Sequence, residues 1–129
     1  RRDFPGGWKG DKQNAFVEST QTPEQKEFYN FTKKLLNWRK SAEVIHSGKT
    51  THYMPQDKVS VYFRYNDQKK VMVVLNNNEK PVDLSLARFQ ESLEGVSSGK
   101  DVISEKTFSI SADKSLTAPA KNALILELN

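Results

Sequence analysis

The spacing of apolar residues changes period once along this chain, near Lys49, and that change restricts the folds open to it. Upstream, Phe28, Phe31, Leu35, Trp38 and Ala42 recur at helical spacing and fall on one stripe, with Tyr29 and Leu36 widening it. Thr22-Pro23-Glu24-Gln25 reads as the start of that helix: Thr22 as cap, Pro23 at the first helical position, Gln25 completing a capping box. Ser41 to Ile45 reads as one further turn, stopped at Gly48. Downstream, Val59, Val61, Phe63 and Tyr65 alternate with polar residues, as one strand face against a core requires. Val71 to Leu75 is apolar on both faces and reads as a central strand.

Short alternating runs follow at Val82–Leu86, Gly99–Ile103, Phe108–Ile110, Leu116 and Ala123–Leu128, with a helical turn between Arg88 and Leu93. Turn signals such as Asn66-Asp67-Gln68 and Asn76-Asn77-Asn78 separate the early runs. Seven or eight short strands at such spacing predict a mainly β chain: an antiparallel Greek-key β-sandwich preceded by one long amphipathic helix.

Residues 1–21 carry no periodicity and read as a loop rich in turn residues, with Phe4, Trp8, Phe16 and Val17 as its apolar content. A loop of about twenty residues far exceeds the usual connection of about 4–6, and such loops are commonly functional or disordered. The first residues, Arg1 to Trp8, resemble neither a targeting segment nor a natural start. A helix without an evident partner followed by an all-β block suggests a piece of a larger protein.

Composition removes several chemistries. The 129 residues contain no cysteine, so neither disulfides nor thiolate ligands arise. The net charge of +4 is spread among interleaved acids and lysines rather than gathered into a basic stripe, which argues against nucleic acid as a partner. No apolar run approaches the roughly 20 residues of a membrane-spanning helix, so no membrane partner is expected. The two histidines, His46 and His52, lack the convergent ligands of a metal site and the oriented partners of a catalytic triad. No phosphate-cradling glycine loop is present, and no cofactor is expected. Asp3, Asp11 and Glu18 share the first loop, but nothing pairs them across a sugar as glycoside hydrolysis requires, so no residue is assigned as catalytic. Asn30-Phe31-Thr32 matches a glycosylation pattern but falls mid-helix, and is taken as chance. Trp8 and Phe4 are the candidate substrate-binding residues, since sugars stack on exposed aromatic faces; packing the loop against a neighbour is their competing role.

The run Arg2-Asp3-Phe4-Pro5-Gly6-Gly7-Trp8, with Gly10-Asp11, Asn14-Ala15-Phe16, Leu35-Leu36-Asn37-Trp38-Arg39-Lys40, Val44-Ile45-His46-Ser47-Gly48-Lys49 and Val61-Tyr62-Phe63-Arg64-Tyr65, resembles the C-terminal part of α-amylase family glycoside hydrolases, specifically the cyclomaltodextrinase and neopullulanase-like members. The resemblance implies that residues 1–21 are a loop at the active-site face of a (β/α)₈ barrel, 22–48 the last barrel helix with its extension, and 49–129 the C-terminal β-sandwich domain. It places the catalytic acids on earlier barrel strands, so the chain alone would be inactive. Its partners would be the parent barrel in cis, with maltodextrin or cyclodextrin near the Phe4–Trp8 loop, and the parent would be an exported, periplasmic or secreted enzyme. A helix deprived of its barrel would fold back on the sandwich or pair with a second copy as a homodimer.

Two rivals stand beside this reading. A starch-binding module would need solvent-facing aromatics on adjacent strands, for which Tyr53, Tyr62 and Tyr65 are candidates, although alternation puts Tyr65 with the core set. An immunoglobulin-like interaction module is disfavoured by the long capped helix in front.

Overall fold

A computed structural model of the chain describes residues 4–129. Among them are helices α1 (Pro23–Ser41) and α2 (Glu43–Ser47), then strands β1 (Lys49–Gln56), β2 (Val59–Tyr65), β3 (Lys70–Asn76), β4 (Val82–Ser85), β5 (Ser98–Asp101), β6 (Thr107–Ser109), β7 (Ser115–Ala118) and β8 (Asn122–Leu128). The chain forms two compact units, Arg1–Leu36 and Asn37–Asn129.

In the second unit every strand pairing is antiparallel, and the order of the larger sheet is β1-β2-β3-β8-β5-β6. The last strand therefore returns to the middle of this sheet, between β3 and β5, while β4 and β7 leave it to form a two-stranded second layer. This is the expected mainly β, antiparallel arrangement behind a helix, with sheets of very unequal width.

Strand register explains the core. Phe63 pairs Met72 and Met72 pairs Leu126; Val61 pairs Val74 and Val74 pairs Leu124. These two rows lie on the inner face and are buried with Leu86, Phe89, Leu93, Ile110, Leu116 and Ala118. Burying each such side chain contributes about 1.5–3 kcal/mol, which makes this cluster the main source of stability.

The outer face carries other rows: Thr50–Arg64–Val71–Glu127 and His52–Tyr62–Val73–Ile125. Val71, Val73 and Ile125 are buried there although they lie outside the inter-sheet cluster. The segment fastened over this face runs from Trp38 to α2. Trp38 Nε1 donates to Glu127 Oε1 at 2.9 Å, and Arg64 Nη2 donates to the Ile45 carbonyl at 2.7 Å. Ala42 and Val44 are buried in the same segment. β3 is thus covered on both faces, as its continuous apolar run requires.

The helix start follows its sequence signature. Thr22 N donates to Gln25 Oε1 at 2.9 Å, and Gln25 N to Thr22 Oγ1 at 3.3 Å, a reciprocal capping box. Two local details differ from expectation. Ser41 does not cap α2; its hydroxyl bonds back to the Trp38 carbonyl at 3.1 Å. Gly48 ends α2 with φ −69°, outside the left-handed region. Its role is close approach instead, since a Cβ there would lie 2.3 Å from the Val44 carbonyl oxygen and 2.8 Å from that of Tyr65.

β1 carries no alternating apolar signal in the sequence. It is an edge strand, its residues mostly exposed, with Pro55 near its end and an irregular register between Tyr53 and Gln56. Such features are those that discourage further pairing at a sheet edge. It joins β2 through Asp57 and Lys58, both with positive φ (49° and 58°), the backbone of a primed hairpin turn.

Candidate functional site

In the first unit, the polypeptide before α1 is a loop braced almost entirely by polar groups. Phe4-Pro5-Gly6-Gly7 forms a turn closed by Gly7 N to the Phe4 carbonyl at 3.2 Å, with Pro5 at its second position and Gly6 at φ 91°. That is the residue order a type II turn demands. Asp11 Oδ2 accepts from Gly6 N at 2.9 Å and from Trp8 N at 3.2 Å, fixing the turn from below. Asn14 Oδ1 accepts from Phe16 N at 2.9 Å, and Thr20 Oγ1 accepts from Asn14 N at 2.9 Å. Gln21 Nε2 donates to the Ala15 carbonyl at 2.7 Å.

The consequence is a loop whose backbone is satisfied internally while its aromatics face solvent. Phe4 is 58% exposed, Trp8 69% and Phe16 78%, with Phe4 and Phe16 in ring contact at 5.6 Å. Phe4 and Trp8 thus lie on one short braced turn, and Phe16 joins them. Sequence reasoning noted Phe16 only as apolar content; the Asn14 cap that presents it is visible only in the structure. On α1 of the same unit, Phe28, Tyr29 and Leu36 are also exposed.

The second unit holds two clefts on the inner side of β1. One, about 280 Å³, opens between β1 and β4; among its lining residues are Met54, Val59, Val82, Leu84 and Arg88. Two of its polar side chains are engaged: Arg88 Nη2 donates to the Met54 carbonyl at 2.7 Å, and Asp83 Oδ1 accepts from Thr117 Oγ1 at 2.6 Å. The other, about 270 Å³, is lined by Thr51, Tyr53, Phe63, Tyr65, Lys70, Glu91 and Ser92. The narrow second layer leaves this corner open, so Tyr65 is only half-buried despite its inward register.

Of the three tyrosines weighed for sugar binding, Tyr53 is engaged in packing: edge-on to Phe89 at 4.8 Å, with its hydroxyl 2.9 Å from Ser92 Oγ. Tyr62 stacks with His52 at 5.4 Å on the opposite face. His46 Nε2 lies 2.7 Å from the Arg39 carbonyl oxygen, and both histidines are exposed. Among the described residues no cluster of His, Asp or Glu is arranged to hold a metal ion, and no helix is long and apolar enough to cross a membrane.

The buried carboxylate of the sandwich, Asp101, is consumed by structure. Its oxygens accept from Ser104 N and Oγ, both at 2.7 Å, and from Ile125 N at 3.0 Å.

Comparison with known proteins agrees with this architecture. The chain is similar in fold to an Anoxybacillus α-amylase, with TM-score 0.68, 18% identity, and coverage of 80% of this chain and 22% of that one. A Geobacillus thermoleovorans α-amylase solved with acarbose gives TM-score 0.65 at 15% identity, covering 88% and 24%. The trehalulose synthase of Pseudomonas mesoacidophila gives 0.60 at 20% identity, covering 78% and 18%. The chain thus spans about a fifth of the length of these solved chains. Residues 50–127 match the family described as the cyclo-malto-dextrinase C-terminal domain, which takes in β1 through most of β8. This chain belongs to the cyclo-malto-dextrinase C-terminal domain family.

Proposed function

We propose that this chain is the C-terminal accessory part of an α-1,4-glucan hydrolase acting on maltodextrin or cyclodextrin. In this reading residues 49–129 are the β-sandwich, 22–48 the last helix of the catalytic barrel with its extension, and 1–21 a loop at the barrel's active-site face. The chain supports the barrel and contributes no catalytic acid. The observation that carries this reading is the apolar surface left bare on the first unit: Phe28, Tyr29 and Leu36 on α1, and Phe4, Trp8 and Phe16 on a loop braced mainly by polar groups. Apolar area of that extent marks a surface made to be covered. The helix row suits a barrel, and the loop aromatics suit sugar rings, whose C–H faces stack on aromatic planes.

The test uses the whole enzyme that contains this chain. Trp8→Ala is expected to raise KM for maltooligosaccharides about tenfold, the loss of one stacking contact of roughly 1.4 kcal/mol, with the unfolding temperature unchanged. Phe28→Asp is expected to lower that temperature without a specific effect on KM. Kinetics indifferent to Trp8→Ala together with stability indifferent to Phe28→Asp contradict the proposal.

A further inference from the structure

We propose that the open corner of the sandwich, between β1, β2 and the segment around Ser92, is a binding site for one neutral sugar ring, separate from the Phe4–Trp8 loop. Register puts Thr51, Tyr65 and Lys70 on the inner face of three adjacent strands, where a core residue would normally stand. The two-stranded second layer does not reach this end, so these side chains meet a cleft of about 270 Å³ instead of a packed wall. That volume is just under the roughly 300 Å³ at which small-molecule sites begin, room for a single hexose ring.

The lining matches a polyhydroxylated ligand. Tyr53 and Tyr65, both half-buried, supply aromatic surface above the buried Phe63, and Thr51 Oγ1, the Tyr65 hydroxyl and the Glu91 carboxylate make no hydrogen bond to other described residues. Lys70 Nζ donates to the Ser92 carbonyl at 2.6 Å, which anchors the ammonium at the rim and leaves two of its protons to donate. One cation and one anion face the same space, so a net charge on the ligand would be repelled by one as it is attracted by the other. Vicinal hydroxyls, which both donate and accept, satisfy both.

The choice of glucose units as ligand rests on the proposed role in glucan processing; the site itself rests on the cleft. The test follows backbone amide NMR shifts of the 129-residue chain during titration with maltose, with gluconate as charged control. Saturable millimolar shifts centred on Thr51, Tyr65, Lys70 and Glu91 are expected, with gluconate no tighter. Tyr65→Phe and Glu91→Gln, both compatible with folding, are each expected to weaken binding about three- to tenfold. Shifts confined to residues 4–17 overturn this site while favouring the role of the loop; tighter binding of gluconate than of maltose overturns the neutral-sugar assignment. Absence of shifts overturns it outright. Shifts at the corner in a protein whose parent enzyme ignores Trp8→Ala uphold this site and count against the loop's role.

Discussion

Trp38 Nε1 donates a 2.9 Å hydrogen bond to Glu127 Oε1, joining the last turns of α1 to β8 across 89 residues of sequence. β8 is flanked by β3 and β5 in the larger sheet, so this bond fastens the helix end to the middle of the sandwich rather than to a frayed edge. Trp38→Phe is expected to cost about 1–2 kcal/mol in urea unfolding, chiefly the lost donor and part of the indole's packing. Glu127→Gln, which keeps an acceptor, should cost less. A double-mutant cycle showing no coupling between the two positions contradicts the fastening.

Asn76 is the second such fastening, between the two sheets. It is buried at the end of β3, and its Nδ2 lies 3.0 Å from the carbonyl oxygens of both Ala118 and Pro119 at the end of β7. Its Oδ1 accepts from Asn78 N at 2.9 Å. Asn76→Ala is expected to destabilise the chain by about 2–4 kcal/mol, because the buried Ala118 carbonyl and the half-buried Pro119 carbonyl lose their donor together. An unfolding midpoint unchanged within error would show that the clamp is replaceable by water.

Glycines at two positions act for different reasons, and substitution separates them. At Gly48 a methyl group would overlap backbone oxygens of α2 and β2, so Gly48→Ala should cost upward of about 2 kcal/mol. At Gly10 a Cβ meets nothing within 4 Å and only the φ of 101° resists it, so Gly10→Ala should cost nearer about 1 kcal/mol. Equal losses at the two sites would contradict this account.

A pH dependence follows from the helix start. The Glu24 carboxyl is held below its ordinary value of 4.5, first by its own backbone N–H and then by the Thr22 hydroxyl. A depressed folded value means the stabilisation is fully present above the ordinary value and is lost as pH falls through the folded one. Protection of the first-turn amides of α1, measured against their intrinsic exchange rates, should therefore decline as pH falls below the carboxyl's ordinary value of 4.5. Glu24→Gln should remove this pH dependence; if the loss of protection persists unaltered in that variant, the carboxylate is not its source.

The legible parts of this chain were those in which one residue's chemistry decides its neighbours' conformation. Thr22, Pro23 and Gln25 announced the start of α1, and the alternation of Val59, Val61 and Phe63 announced the inner face of β2. β1 left no such trace because it is an edge strand, mostly exposed, whose inward positions are filled by Thr51 and Tyr53 rather than by aliphatic residues. The open corner was equally hidden: Tyr65 reads as a core residue by register, and only the narrowness of the β4–β7 layer leaves it half-buried. Phe4 and Trp8 were legible as candidates from residue type, whereas the Asp11 brace beneath them depends on a three-dimensional turn.

The central claim is that this chain supports glucan cleavage carried out by groups elsewhere in its parent. The most direct measurement incubates the purified chain and the enzyme that contains it, side by side, with β-cyclodextrin and maltoheptaose, and follows the release of reducing ends. The account predicts turnover by the enzyme and none above the buffer blank by the chain alone. Turnover by the chain, abolished when its own carboxylates are replaced, would contradict it.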